Sequence, residues 1–213
     1  MARKHVVITG TGRAGTSFLV QLLTHLGLDT GYRPEDAKQR LNNVARAGLE
    51  QEFTSADSPY ILKTPRFCDQ ADEVLRRGDI IIEHVFVPMR DLEAAADSRR
   101  FVTREAHSQW SPWKRFLKRM RGRDGVPGGE QLTSQGVSQE ALLLQRVYKL
   151  LLILSNEHIP VTFLRYPRLV KDSEYLFRKL RPLLNGIAYE QFNSVWQQTV
   201  RPDLVHSFNT RDQ

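Results

Sequence analysis

Hydrophobic positions along the chain fall into short β-branched runs separated by segments with helical spacing. The runs predict four strands, at about 4–9, 59–63, 80–87 and 160–165. Apolar positions three or four residues apart predict helices at about 17–26, 36–52, 91–103, 138–155, 173–184 and 188–199. Strands that alternate with helices favour a parallel sheet covered on both faces. We therefore expect an α/β fold.

The residues that follow each strand are the first candidates for function, because open parallel sheets bind ligands beyond the carboxyl ends of their strands. The first strand leads into Gly10-Thr-Gly-Arg-Ala-Gly-Thr-Ser17, which contains three glycines. Such a turn brings backbone amides and the positive end of a helix to one anion. It predicts a phosphate-binding loop, and the alternative is a strand-to-helix turn without a ligand.

The loop fits two common phosphate-binding motifs only in part. Gly10 and Gly15 have the spacing of a Walker A loop, but Thr16 stands where that motif has the lysine that reaches the β- and γ-phosphates. The glycines also match a dinucleotide fingerprint with Asp29 as its acid. That fingerprint needs a second strand between helix and acid, and the chain leaves no room for one.

A third interpretation rests on a resemblance. Arg13-Ala-Gly-Thr-Ser17 resembles the 5′-phosphosulfate loop of sulfotransferases that use 3′-phosphoadenosine 5′-phosphosulfate (PAPS), in which Lys or Arg precedes a small residue, Gly and two Ser/Thr. Arg90 at the end of the third strand, followed eight residues later by Ser98, resembles the family's 3′-phosphate element. The donor-binding residues that the resemblance implies are Gly12, Arg13, Ala14, Gly15, Thr16, Ser17, Arg90 and Ser98.

The resemblance implies a fold and a reaction. The fold is a three-layer α/β fold of the P-loop NTPase type, with a mostly parallel sheet flanked by helices, in a single sulfotransferase-like domain over residues 1–213. The reaction is transfer of a sulfuryl group from PAPS to a hydroxyl acceptor. Adenosine 3′,5′-bisphosphate (PAP) is the other product, and no metal is required.

The resemblance also implies catalytic residues. The second strand ends at Lys63, like the family's strand whose lysine points at the transferred group, and Arg13 and Lys63 would stabilise the charge of the transition state. Cytosolic members have a histidine two residues after the lysine, where this chain has Pro65. Other branches, including carbohydrate sulfotransferases, use a glutamate after the first helix. Glu35 fits that role, with Asp36 in reserve, and this pattern favours a carbohydrate or similar acceptor.

Charge narrows the classes of partner. The 213 residues carry a net charge of +7, which indicates an anionic partner. Six cations and no acid lie between 114 and 123, inside a segment at 104–136 that we expect to be mobile. This segment suits a lid over an anionic substrate or a peripheral contact with an anionic membrane surface. Without a recognised nucleic-acid-binding fold, it does not favour nucleic acid.

The sequence also suggests a compartment. One cysteine, Cys68, forbids an internal disulfide and fits a reducing environment, and Val6-Val-Ile8 is too short for the apolar region of a signal peptide. We therefore expect a cytoplasmic protein. The sequence does not predict its oligomeric state.

Two other functions stay open at this point. A small-molecule kinase with a degenerate P-loop would need Mg²⁺, for which Asp91 is the one well-placed carboxylate at a strand end. A non-catalytic nucleotide- or membrane-binding module would bind the anion without turnover.

Overall fold

The computed structural model describes residues 2–39, 48–53, 58–108 and 137–201, together with residues 111, 113 and 129. The first half of the fold consists of β1 (Arg3–Ile8), α1 (Thr16–His25), α2 (Pro34–Gln39), β2 (Ile61–Lys63), α3 (Phe67–Arg76), β3 (Ile80–Met89) and α4 (Leu92–Ser108). The second half consists of α5 (Gln139–Asn156), β4 (Val161–Arg165), α6 (Arg168–Lys171), α7 (Ser173–Leu180), a 3₁₀ turn (Arg181–Leu183) and α8 (Tyr189–Thr199).

The four strands form one sheet in the order β2-β1-β3-β4, and every neighbouring pair is parallel. The predicted α/β class and the predicted parallel sheet are confirmed. β1 lies inside the sheet, paired with β2 through Val6 and Ile61 and with β3 through Val7 and Val85. The chain leaves β1 towards β2 on one side, whereas it leaves β3 towards β4 on the other.

Alternate residues of β1 face two separate cores, as the pleat of a strand requires. Val6 and Ile8 join the core beneath α1, α7 and α8, where Leu19, Leu22 and Phe192 are fully buried. Val7 joins the core beneath α3 and α5 on the opposite face. Burial on both faces explains the uninterrupted apolar run at Val6-Val-Ile8.

The prediction of a helix at 36–52 is wrong at its C-terminal end. Helix α2 covers Pro34–Gln39, and residues 48–53 are not helical. Gly48 and Leu49 have φ angles of 147° and 63°, which a right-handed helix cannot contain. The segment instead runs beside β2, where the amide of Gln51 donates to the carbonyl of Lys63 at 2.9 Å.

Two further predictions need correction. The sequence interpretation missed α3, whose buried face consists of Phe67, Cys68, Ala71 and Val74. The segment at 104–136, expected to be mobile, begins inside a helix, because α4 continues to Ser108 and buries Ala106. Most of its remainder, including the basic stretch at 114–123, lies outside the described residues.

Within the described ranges, no helix is both long and apolar enough to cross a lipid bilayer.

The core beneath α3 and α5 provides a test of the packing. Leu150 is fully buried there, whereas Leu152 on the same helix is 49% exposed. Leu150→Ala should lower the free energy of unfolding by about 2–5 kcal/mol, because it removes buried methyl groups and leaves a cavity. Leu152→Ala should change it by less than about 0.5 kcal/mol. Urea unfolding followed by circular dichroism measures both, and equal losses would contradict this packing.

Candidate functional site

The topology predicts where a ligand binds. Because the connections after β1 and β3 depart in opposite directions, a crevice forms between the carboxyl ends of these two strands. The glycine-rich loop at 10–15 follows β1, and Arg90 follows β3. Both sequence motifs therefore lie at the position where sheets of this class bind ligands.

The loop after β1 has the geometry of an anion-binding turn. Gly12, Arg13 and Gly15 have φ angles of 68°, 58° and 84°, so three of its residues are left-handed. The N-cap residue of α1 is Gly15, so no side chain caps the amides of its first turn. This turn also contains no acidic residue. Ala14 is fully buried and Thr16 nearly so. The amides of the first turn and the positive end of the helix dipole thus suit an anion.

Arg13 joins the two motifs that the sequence analysis singled out separately. Its Nε donates a hydrogen bond of 3.1 Å to Oγ of Ser98, which lies 85 positions later on α4 and is 1% exposed. The helix that carries Ser98 begins where the sequence indicates, because Oδ1 of Asp91 accepts from the amide of Ala94 at 3.1 Å. Asp91 therefore caps the N-terminus of α4.

Arg90 is buried at the end of β3, with 7% of its surface exposed. Its guanidinium lies over the ring of Tyr166, 5.0 Å from the ring centre. Tyr166 directly follows β4, and its amide donates to the carbonyl of Met89 at 2.7 Å. The carboxyl ends of β3 and β4 thus hold the Arg90 side chain between them.

Lys63 is the most deeply buried cation of the site, at 2% exposure. Its Nζ donates to Oγ of Ser17 at 2.9 Å, to Oε1 of Glu50 at 2.8 Å and to the carbonyl of Gly48. Burial lowers the pKa of Lys63, while the carboxylate of Glu50 acts in the opposite direction. Hydrogen bonds of Lys63 therefore connect the end of β2 both to the first turn of α1 and to the segment at 48–53.

Arg13 is the common neighbour of the other cations. Burial and the charge of Arg90 lower the pKa of Arg13, and the charge of Arg13 contributes to lowering the pKa of Lys63. Burial, together with the charge of Arg13, lowers the pKa of Arg99 to about 10. Such mutual repulsion between buried cations is relieved by a bound anion.

Glu35, the predicted base, has a different setting. It lies in the first turn of α2, where it is exposed and makes no hydrogen bond or ion pair with any described residue. Asp36, its reserve, is in the same turn and is partly buried. Glu50, in contrast, pairs with the predicted site residue Lys63, and the Glu50 side chain is 45% exposed.

The sequence analysis missed Glu50 and Arg99. Glu50 belongs to no motif, since its position depends on how the segment at 48–53 returns alongside β2. Arg99 follows Ser98 directly and donates to the carbonyls of Thr11 and Gly129. A Cβ at Gly12 would lie 3.0 Å from Nη2 of Arg99, so the glycine permits this close approach. Nothing in the sequence beyond its place directly after Ser98 points to Arg99.

Comparison of the chain with models of protein families, with curated proteins and with solved structures found no match.

Proposed function

We propose that the protein is a sulfotransferase of the P-loop type, which transfers a sulfuryl group from PAPS to a hydroxyl acceptor. The observation that carries the proposal is the hydrogen bond between Arg13 and Ser98. It joins a side chain of the implied 5′-phosphosulfate loop to one of the implied 3′-phosphate element. The two motifs are distant in sequence and imply the same ligand, PAPS. They meet at the crevice where α/β sheets bind nucleotides.

In this proposal the donor lies across the crevice between β1 and β3. The backbone of residues 12–17 binds the 5′-phosphosulfate, as helix N-termini bind phosphates elsewhere. The guanidinium of Arg90 and the hydroxyl of Ser98 bind the 3′-phosphate. The stacking of Arg90 on Tyr166 supports this role, since it fixes the orientation of a planar donor before the ligand binds.

Transfer proceeds by attack of the acceptor oxygen on sulfur. The bond between sulfur and the bridging phosphate oxygen breaks, PAP leaves with the electron pair of that bond, and a carboxylate takes the proton of the acceptor hydroxyl. Arg13 and Lys63 stabilise the negative charge that develops on the leaving oxygen. The contact of Lys63 with Ser17 supports this assignment, because it brings the ammonium group to the first turn of α1.

Two carboxylates are candidates for the proton acceptor. Glu35 is the residue that the family resemblance implies. Glu50 is held at the site itself, where Oε1 accepts from Lys63 and no described group contacts Oε2. A free carboxylate oxygen beside the transferred group has the geometry that a general base needs.

Arg90→Ala tests the proposed orientation of the donor. It should weaken PAP binding by about tenfold or more, since a charge-assisted hydrogen bond contributes roughly 1.5–3 kcal/mol. Binding of adenosine 5′-phosphosulfate, which lacks the 3′-phosphate, should change little and thereby shows that the variant is folded. Calorimetric titration measures both ligands, and equal weakening would contradict the assignment of Arg90 to the 3′-phosphate.

The two candidate bases can be separated by substitution with glutamine. Loss of a general base should lower the rate of PAP release from PAPS, measured with a panel of carbohydrate acceptors, by about 10²–10⁴-fold while PAP affinity is retained. Glu35→Gln and Glu50→Gln are compared with Glu52→Gln, which alters a carboxylate of the same segment that pairs with Arg66. If neither Glu35→Gln nor Glu50→Gln is slower than the Glu52→Gln control, then neither Glu35 nor Glu50 is the base.

A further inference from the structure

A cavity of about 260 Å³ lies behind the glycine-rich loop, on the side of the sheet covered by α3 and α5. Its walls include Gly10 and Thr11 of the loop after β1, Pro65 and Arg66 after β2, and residues of α3, α4 and α5. None of the side chains proposed to bind PAPS lines it. The cavity is therefore a compartment beside the donor site rather than a part of it.

Positive charge dominates the walls of this cavity. Arg66, Arg99 and Arg146 line it, against one carboxylate, that of Asp69. Arg146 uses Nε and Nη2 to bind both oxygens of Asp69, with Nε 2.7 Å from Oδ1, and Nη1 has no partner among the described residues. Arg66 is paired with Glu52, with Nη1 2.9 Å from Oε1. Once both pairs are discounted, the charge of Arg99 remains.

Arg99 is the most informative of the three arginines. It is 7% exposed, and no carboxylate in the described part of the chain pairs with it. Its two terminal nitrogens donate to the carbonyls of Thr11 and Gly129, while Nε is buried without a described partner. Burial of a cation without a counter-charge is unfavourable, so an anion at this wall would stabilise the arrangement.

The position of the cavity relates it to the proposed transfer reaction. Pro65 and Arg66 come directly after Lys63 and Thr64, and Gly10 and Thr11 begin the loop proposed to hold the phosphosulfate. A molecule in the cavity therefore lies next to the residues on which the sulfuryl group would be held. Its volume is below the roughly 300–1,000 Å³ of pockets for drug-sized ligands, so it suits one charged portion of a larger molecule.

We propose that this cavity binds an anionic group, a carboxylate or a sulfate, of the acceptor, so that the acceptor is an acidic hydroxyl compound. That the bound molecule is the acceptor rests on the proposed sulfotransferase function, whereas the anion site itself does not. Arg99 and Arg146 form the binding wall, and Arg66 lies at the exposed rim.

Arg146→Met tests the anion site with inorganic sulfate as the probe. The partner it leaves, Asp69, is 46% exposed and remains solvated, so the variant should fold. Arg76→Met is the matched control, because Arg76 also pairs with an aspartate of α3 but lies outside the cavity. Calorimetry at constant ionic strength, with saturating PAP, should show sulfate binding that Arg146→Met weakens at least tenfold and Arg76→Met leaves unchanged.

Other results of this titration would contradict either the cavity site or the sulfotransferase function. Absence of sulfate binding overturns the cavity site. Sulfate binding that Arg146→Met leaves unchanged also overturns it, because that sulfate would be bound at the phosphate loop instead. PAP binding is recorded in the same experiment. If PAP fails to bind while sulfate binds through Arg146, the anion site stands but the sulfotransferase function, and with it the role as acceptor site, fails.

A pair of sugars distinguishes an acceptor from a free anion. Methyl β-D-glucuronide and methyl β-D-glucoside differ only in a carboxylate against a hydroxymethyl group. The glucuronide should displace sulfate from the PAP-loaded protein, and the glucoside should not. Equal displacement by both, or displacement by neither, would overturn the assignment of the cavity to an acidic acceptor.

Discussion

Positive charge is concentrated and buried at the carboxyl edge of the sheet, and the arrangement of the loops around that edge depends on it. Lys63 ends β2 at 2% exposure, Arg90 directly follows β3 at 7% exposure, and Arg13 lies between them on the loop after β1. Bringing such groups out of water is costly, and each must be compensated by hydrogen bonds, a carboxylate or a bound anion. The molecule uses the first two at Lys63, through Ser17 and Glu50.

The order of the strands explains why this charge collects at one place. β1 lies between β2 and β3, so the segments that follow all three strands meet at one edge of the sheet. Glycine at 12 and 15 lets the first loop turn back over that edge, and the left-handed Arg13 directs its side chain across the crevice to Ser98. The fold thus brings a helix N-terminus and buried guanidinium groups, both of which suit an anion, to one edge of the sheet.

The sequence predicted the strongly patterned elements and the two phosphate motifs. Val6-Val-Ile8 and the apolar face of α5 are unambiguous because strands and helices buried on a sheet need uninterrupted or periodic apolar residues. Helix α3 could have been predicted, because its buried residues Phe67, Cys68, Ala71 and Val74 have helical spacing. Glu50 could not be predicted, since its contact with Lys63 depends on the non-local return of a segment with positive φ angles. Tyr166 and Arg99 became relevant only when β4 and α4 were placed in space.

The proposed crevice recognises a nucleotide with a 3′-phosphate, and this recognition needs no metal ion. Thermal unfolding with PAP, ADP and ATP, each with and without Mg²⁺, tests it most directly. At 100 times its dissociation constant a ligand stabilises the folded state by about 2.7 kcal/mol, which raises the unfolding midpoint measurably. We expect such a rise with PAP, unaffected by Mg²⁺ and larger than that with ADP or ATP. A rise confined to ATP with Mg²⁺ would contradict the sulfotransferase and favour a kinase.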